Sequence, residues 1–226
     1  AIGHDLLRPV FSILDPEYTF TVNQYHTAAG VVDILSHLFE QYFTPDQEGY
    51  LQNRLMEAMM KTVIEYGPIA YNELDDYEAR ANLMWTSSLA LNGMVTYGKV
   101  STDWATHGME HELSAFYDIT HGVGLGILTP YWMKYVLSEE NVHRFVEYGK
   151  NVWNLDGENN MEIANKAINK TREFFSSLGI PSTLKEVGID ESKLDKMAEQ
   201  ATMFGALGSM KKLYKEDVLA IYKMAL

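Results

Sequence analysis

Apolar residues recur at helical spacing along most of this chain, and that period limits the possible folds more than any other feature. Within 27–43, Val31, Leu35 and Leu38 fall on one face of a helix that ends before Pro45. Further helices are predicted at 48–66, 77–97, 103–116, 121–136, 139–152, 160–178, 191–203 and 215–225. The pattern therefore predicts an all-α, multi-helix bundle.

Two of these segments carry more detailed expectations. The helix over 48–66 is expected to stop at Gly67-Pro68, because proline disrupts a helix interior. The segment 77–97 is apolar on nearly every face, which is typical of a helix at the centre of a bundle.

The start of the chain departs from this helical pattern. Residues 10–14 form a short apolar run that is stopped by Asp15-Pro16, and it is predicted to be a β-strand. A lone strand cannot satisfy its own backbone hydrogen bonds, so we expect it to complete a sheet whose other strands lie upstream. Residues 1–16 are thus predicted to be the edge of a missing domain, and 17–226 a single helical domain, which makes the chain a fragment.

Composition narrows the classes of function. The 226 residues are 46% hydrophobic and carry a formal net charge of −13, which disfavours nucleic acid and anionic membranes as partners. No run of about 18 apolar residues is present to span a bilayer. The absence of cysteine leaves His, Asp and Glu as the only metal ligands. Residence in the cytoplasm fits this composition.

The residues that suggest chemistry are a carboxylate and four histidines. Asp33 and His37 stand four residues apart on one predicted helix, and His107 and His111 repeat that spacing. His121 follows at the start of another apolar segment. Either pair alone is more often incidental. An Asp and a His at this spacing can simply be hydrogen-bonded to each other at a solvent-exposed edge of the helix. Together, in a chain with only seven histidines, they predict a metal site.

The donor set restricts the metal. Imidazoles with one carboxylate suit Fe²⁺ or Zn²⁺ and are too rich in nitrogen for magnesium or calcium. Four protein ligands leave room for an exchangeable oxygen, so the ion could act as a Lewis acid on a hydroxyl or carbonyl.

A zinc metallohydrolase is the alternative interpretation. His107-x-x-Glu110-His111 matches the H-x-x-E-H pattern, in which both histidines bind zinc and the glutamate activates water. That interpretation leaves Asp33 and His37 without a role, and motifs of five residues arise easily by chance.

Three glycines follow His121 at alternate positions, in "HGVGLG". A nucleotide-binding loop would need a preceding strand, and here a helix precedes. We therefore expect Gly122, Gly124 and Gly126 to allow close helix contact near the metal.

Two longer segments extend these motifs into a family pattern. "TAAGVVDILSHLFEQYF" and "WATHGMEHELSAFYDITHGVGLGILTPYWMKY" resemble the metal-binding segments of the iron-containing (group III) alcohol dehydrogenases, most closely the butanol dehydrogenase branch. The likeness extends over essentially the whole chain, and histidines spaced by four and then ten residues are highly specific to it.

The resemblance implies a role for each of the five residues. Asp33, His37, His107 and His121 would be the four metal ligands. His111 would be a catalytic, cofactor-contacting residue that is not a ligand and lies near the nicotinamide and the substrate.

The resemblance also implies the remaining parts of the enzyme. Such proteins have an N-terminal Rossmann-like domain that binds NAD(P)(H), and they transfer hydride between that cofactor and a small alcohol or aldehyde. This chain would be the C-terminal domain only, inactive by itself, from a protein that is a homodimer at full length. Glu110 would have no role, and we expect it to be a carboxylate on the helix surface.

Overall fold

The structure is a computed structural model that describes residue 7 and residues 9–45 and 48–226. Within them the chain forms α-helices and short 3₁₀ helices, and the only β-pairing is an isolated bridge between Leu207 and Leu213. The α-helices are α1 (Gln24–Tyr42), α2 (Tyr50–Asn72), α3 (Tyr77–Ala90), α4 (Ala105–Tyr117), α5 (His121–Val136), α6 (Val142–Trp153), α7 (Asn160–Ser177), α8 (Leu194–Ala201) and α9 (Lys215–Met224). The all-α prediction is confirmed for this part of the chain.

Short polar side chains set where several helices begin. The side chain of Asn23 accepts a hydrogen bond from the backbone N–H of His26 at the start of α1. Asp76 caps α3 and Asn159 caps α7 by the same kind of bond, three residues into the helix. These caps fix the starts of helices whose apolar faces the sequence already indicated.

Helix α1 lies at the middle of the bundle. It packs against α2, α3, α4 and α5, and α4 packs in turn on α5 and α8. Val32, Leu35 and Leu38 of α1 are buried in the core, where they fix the rotation of the helix about its axis. Asp33 and His37 are thereby turned toward α4 and α5.

No strand forms at residues 10–15, which contradicts the strand predicted at 10–14 as far as this chain is concerned. The side chains of Val10, Phe11 and Ile13 are exposed. A strand is stable only when another strand completes its hydrogen bonds, and the described residues supply none there. Pairing with strands outside this chain, and with it the division at residue 16, stays a prediction.

The expected end of the second helix at Gly67-Pro68 is wrong. Helix α2 continues through Pro68 to Asn72. Its last turns are held by packing: Ala70 is buried, and a Cβ at Gly67 would lie 2.9 Å from a methyl carbon of Val31. Tertiary contacts thus outweigh the local penalty for proline.

The expected long, central helix over 77–97 is also wrong. Helix α3 ends at Ala90, and turns follow in which Gly93 and Gly98 have φ values of 93° and 85°. Trp85 is 59% exposed and Leu91 53% exposed. Glycines in the left-handed region end the helix, and a segment that is apolar on every face does not specify which face is buried.

We find no helix in the described residues with the length and apolar character needed to cross a membrane.

Candidate metal centre

Three helices bring the candidate ligands to one place. Asp33 and His37 lie one turn apart on α1, His107 lies in the first turn of α4, and His121 is the first residue of α5. The close approach of α5 to α1 depends on Gly122, where a Cβ would lie 3.0 Å from Cα of Ala29 and closer still to its carbonyl group. The expectation of close helix contact at the glycines is confirmed.

The carboxylate of Asp33 faces the three imidazoles. Its Oδ1 lies 3.6 Å from Nε2 of His37, 4.0 Å from Nε2 of His107 and 3.6 Å from Nε2 of His121. These separations are too long for hydrogen bonds. They are close to the spacing of about 3.4 Å between ligand atoms that each lie about 2.1 Å from one tetrahedral cation.

The donor atoms therefore fit a metal ion. Ligand atoms of Asp33, His37 and His107 all lie within 4.8 Å of one another. Oδ1 of Asp33 and Nε2 of His107 are buried and have no hydrogen-bond partner among the described residues. Burying such atoms unpaired is unfavourable, so a cation at their centre would compensate them.

Glu40 holds His107 from the side away from this centre. Its Oε1 lies 2.9 Å from Nδ1 of His107 and also accepts the backbone N–H of His107 at 2.9 Å. The hydroxyl of Thr106 donates a short hydrogen bond to the same oxygen. Nδ1 is thus engaged by a carboxylate while Nε2 faces Asp33. Sequence reasoning missed Glu40, although its position one turn after His37 was a usable signal.

Glu110 is not the surface carboxylate that we expected. It is fully buried, its Oε1 accepts the hydroxyl hydrogen of Ser114 at 2.6 Å, and its Oε2 contacts Nδ1 of His121. The expectation failed because it took no account of spacing: Glu110 follows His107 by three residues and precedes Leu113 by three, and all three share the buried face of α4.

The electrostatics keep the buried imidazoles neutral. Burial lowers the pKa of His107 to about 4, and burial likewise lowers the pKa of His37. His121 differs, since its hydrogen bond with Glu110 raises its pKa. A neutral imidazole with Nε2 free is the form that binds a metal.

His111 lies beside this group without joining it. Its exposed ring stacks on His121 with centroids 5.6 Å apart, and its centroid lies 6.4 Å from that of His107. The H-x-x-E-H interpretation needs His111 as a ligand and Glu110 open to water, and the burial of Glu110 argues against the second requirement. The individual roles of the five residues stay predictions.

Trp104 packs against two of the candidate ligands. Its ring centroid lies 5.2 Å from that of His107 and 5.9 Å from that of His37. Its backbone is left-handed, with φ 63°, which is unusual for a bulky residue and is often found near functional sites.

Known sequences and structures resemble this chain. The profile described as Fe-containing alcohol dehydrogenase family, C-terminal, matches residues 27–226. NADH-dependent butanol dehydrogenase A of Clostridium acetobutylicum is 56% identical over 225 residues, which cover 98% of this chain and 58% of that protein. An NADPH-dependent aldehyde reductase of Escherichia coli is 37% identical over 200 residues, which cover 88% of this chain and 51% of that protein.

The crystal structure of NADH-dependent butanol dehydrogenase A from Thermotoga maritima has the same fold in this region. It superposes with a TM-score of 0.93 at 36% identity, over 99% of this chain and 58% of that one. The chain therefore spans less than two thirds of the length of each of these relatives.

Proposed function

Because this chain belongs to the iron-containing alcohol dehydrogenase family, we propose that it is the metal-binding, helical part of an oxidoreductase. The enzyme would transfer hydride between a small alcohol or aldehyde and NAD(P)(H). The observation that carries the proposal is the convergence of three imidazole Nε2 atoms on one oxygen of Asp33.

The residues of this chain would prepare the substrate oxygen for reaction. Asp33, His37, His107 and His121 would hold Fe²⁺ or Zn²⁺, and the ion would polarise that oxygen. Asp33 supplies the negative charge of the set. His111 would take the hydroxyl proton on a ring nitrogen during oxidation and return it during reduction. Its exposure beside His121 leaves it open to a reactant.

The nicotinamide cofactor would be bound mainly by a second domain. The matching relatives include one named as NADH-dependent and one named as NADPH-dependent. The proposal therefore specifies a nicotinamide cofactor without choosing between NAD(H) and NADP(H). The same proposal includes three further expectations. The partner is a small alcohol or aldehyde substrate, the full-length protein is a homodimer, and it resides in the cytoplasm.

Metal analysis tests the site. We expect one iron or zinc per chain after purification without chelators, and loss of the metal in His107→Ala and His121→Ala. His111→Ala is the matched control, since the proposal expects it to keep its metal. Loss in His111→Ala with retention in Asp33→Ala would instead favour the metallohydrolase.

Turnover tests the reaction. We expect the 226-residue chain to leave butanol unchanged with NAD⁺ or NADP⁺. Fusion to the remaining part of the Clostridium acetobutylicum relative should restore oxidation, measured as the rise in absorbance of the reduced nicotinamide. A fusion that binds metal and both cofactors without turning over any alcohol or aldehyde would contradict the proposal.

A further inference from the structure

We propose that Glu110 is a positioning residue for the metal site, which holds His121 through Nδ1 so that Nε2 faces Asp33. This inference rests on the metal site of the proposed function. In the H-x-x-E-H motif this residue would be a catalytic base. Here its proposed role is to orient the side chain of His121.

The carboxylate of Glu110 is fixed at both oxygens. Oε1 accepts the Ser114 hydroxyl at 2.6 Å, and Oε2 is bonded to Nδ1 of His121. The side chain has no exposed surface. A buried carboxylate with both oxygens engaged has little freedom to move, which makes it a rigid support for the ring beside it.

Helix α5 leaves space for this carboxylate. A Cβ at Gly124 would lie 2.6 Å from Oε1 and 2.8 Å from Cγ of Glu110. Any side chain at this position would therefore displace the carboxylate. The absence of a side chain at Gly124 of α5 thus leaves a recess that the carboxylate of Glu110 from α4 fills. His121 lies one turn before Gly124 on the same helix.

His121 needs such support more than His107 does. The side chain of His121 is 36% exposed, whereas that of His107 is 8% exposed and is covered by Trp104. His121 is also the first residue of its helix, where the preceding Thr120 makes no side-chain cap. Stacking of His111 on the ring does not select which nitrogen faces Asp33, so the hydrogen bond to Glu110 is the contact that selects it.

The bond also selects the chemical form of the ring. An imidazole that donates its Nδ1 hydrogen to a carboxylate keeps a lone pair on Nε2, and the nearby negative charge makes that lone pair a stronger donor. Loss of such an outer carboxylate typically weakens metal binding about 10- to 100-fold.

The test compares Glu110→Gln and Glu110→Ala with the unchanged chain. Zn²⁺ affinity is measured by competition with a chromophoric chelator, and the Co²⁺ form is examined by visible absorption. We expect the dissociation constant for Zn²⁺ to rise about 10-fold in Glu110→Gln, which retains a neutral acceptor for Nδ1, and about 100-fold in Glu110→Ala. The Co²⁺ spectrum should shift in both variants, because the orientation of the His121 ring or the donor strength of its nitrogen changes.

Glu112→Gln is the matched control. It makes the same chemical change on the same helix, at a partly exposed position outside the described hydrogen bonds and ion pairs of His121, and should leave Zn²⁺ affinity within about twofold of the unchanged chain. Unfolding of the metal-free variants separates support of the metal from support of the fold. If Glu110→Ala does not fold, Glu110→Gln, which keeps the size of the side chain, is sufficient for the comparison of Zn²⁺ affinity.

Two results would overturn the inference: Zn²⁺ affinity in Glu110→Gln and Glu110→Ala equal to that of the control, or weaker binding with an unchanged Co²⁺ spectrum and a matching loss of metal-free stability. Either result leaves the proposed function intact, because that proposal depends on metal loss in His107→Ala and His121→Ala.

Discussion

Asp103 ties the start of α4 to a distant loop. Its Oδ1 accepts the backbone N–H of Ala105 at 3.1 Å, and its Oδ2 accepts those of Ser209 and Met210, each at 2.7 Å. The residue is only 5% exposed. One carboxylate therefore satisfies three backbone donors in a region that water does not reach, just before the turn that carries His107.

Removal of this carboxylate should destabilise the protein. We expect Asp103→Ala to lower the free energy of unfolding by about 3 kcal/mol, because three backbone donors lose their partner. Asp76→Ala removes the half-exposed cap of α3, which serves one N–H, and should lower it by about 1 kcal/mol. Urea denaturation measures both. Equal losses in the two variants would mean that Asp103 acts as an ordinary helix cap.

At the scale of single residues, spacing predicted which side chains meet but not what holds them. Asp33 and His37 share one face of α1, as the helical period requires, and both His107 and His121 approach Asp33. His111 lies beside this group without joining it. The bond between Glu40 and His107 could not be inferred in that way. It depends on how α1 and α4 dock, and no local pattern in either segment specifies the other.

Among the helices, the contact of α5 with α1 decides the distance between His121 and Asp33. Gly122 is the point of closest approach, and the neighbouring atoms belong to the backbone of Ala29, which cannot rotate away. A side chain there must push the two helices apart.

Gly122→Ala should therefore reduce both stability and Zn²⁺ affinity. We expect a loss of about 3 kcal/mol in the free energy of unfolding from overpacking, together with weaker Zn²⁺ binding as His121 moves away from Asp33. Gly30→Ala is the control, since a Cβ at that helix position meets no atom within 4 Å. It should raise stability by about 0.5 to 1 kcal/mol. If Gly122→Ala is destabilised but binds Zn²⁺ as tightly as the unchanged chain does, the contact between α5 and α1 does not determine the geometry of the metal site.

Helix positions followed the sequence closely where a polar cap and an apolar stripe agreed, as in α1 and α7. The prediction failed where packing or backbone conformation overrode the pattern. Pro68 remains helical because its neighbours are packed, and the expected long helix over 77–97 ends early at Ala90.

For the whole molecule, a metal site built from three helices links binding to folding. An ion that binds the folded chain alone stabilises it by about 4 kcal/mol at 1,000 times its dissociation constant. In a domain of this size that corresponds to a rise in Tm of about 10 °C. We expect this shift with Zn²⁺, measured by thermal unfolding with and without chelator.

The variant His107→Ala supplies the comparison, because it should lose most of the shift. Mg²⁺ should have little effect on the unchanged chain, since it prefers oxygen ligands. An equal rise in Tm for His107→Ala with Zn²⁺ would show that the ion binds elsewhere.

The family of the molecule was within reach of the sequence, and its matches over nearly the whole chain confirm the resemblance inferred from the two histidine-bearing segments. The strand predicted at 10–14 could not be tested in the same way. A strand needs a partner for its hydrogen bonds, and the described residues supply none there.

The meeting of α1 with α4 and α5 also affects the order in which the chain folds. Helices α6 and α7 are neighbours in sequence and pack on each other, so they can associate with little loss of loop entropy. The residues around Asp33 must instead close a long loop to reach His121. By the logic of contact order, the site should be among the last parts to assemble, so its completion reports that folding has finished.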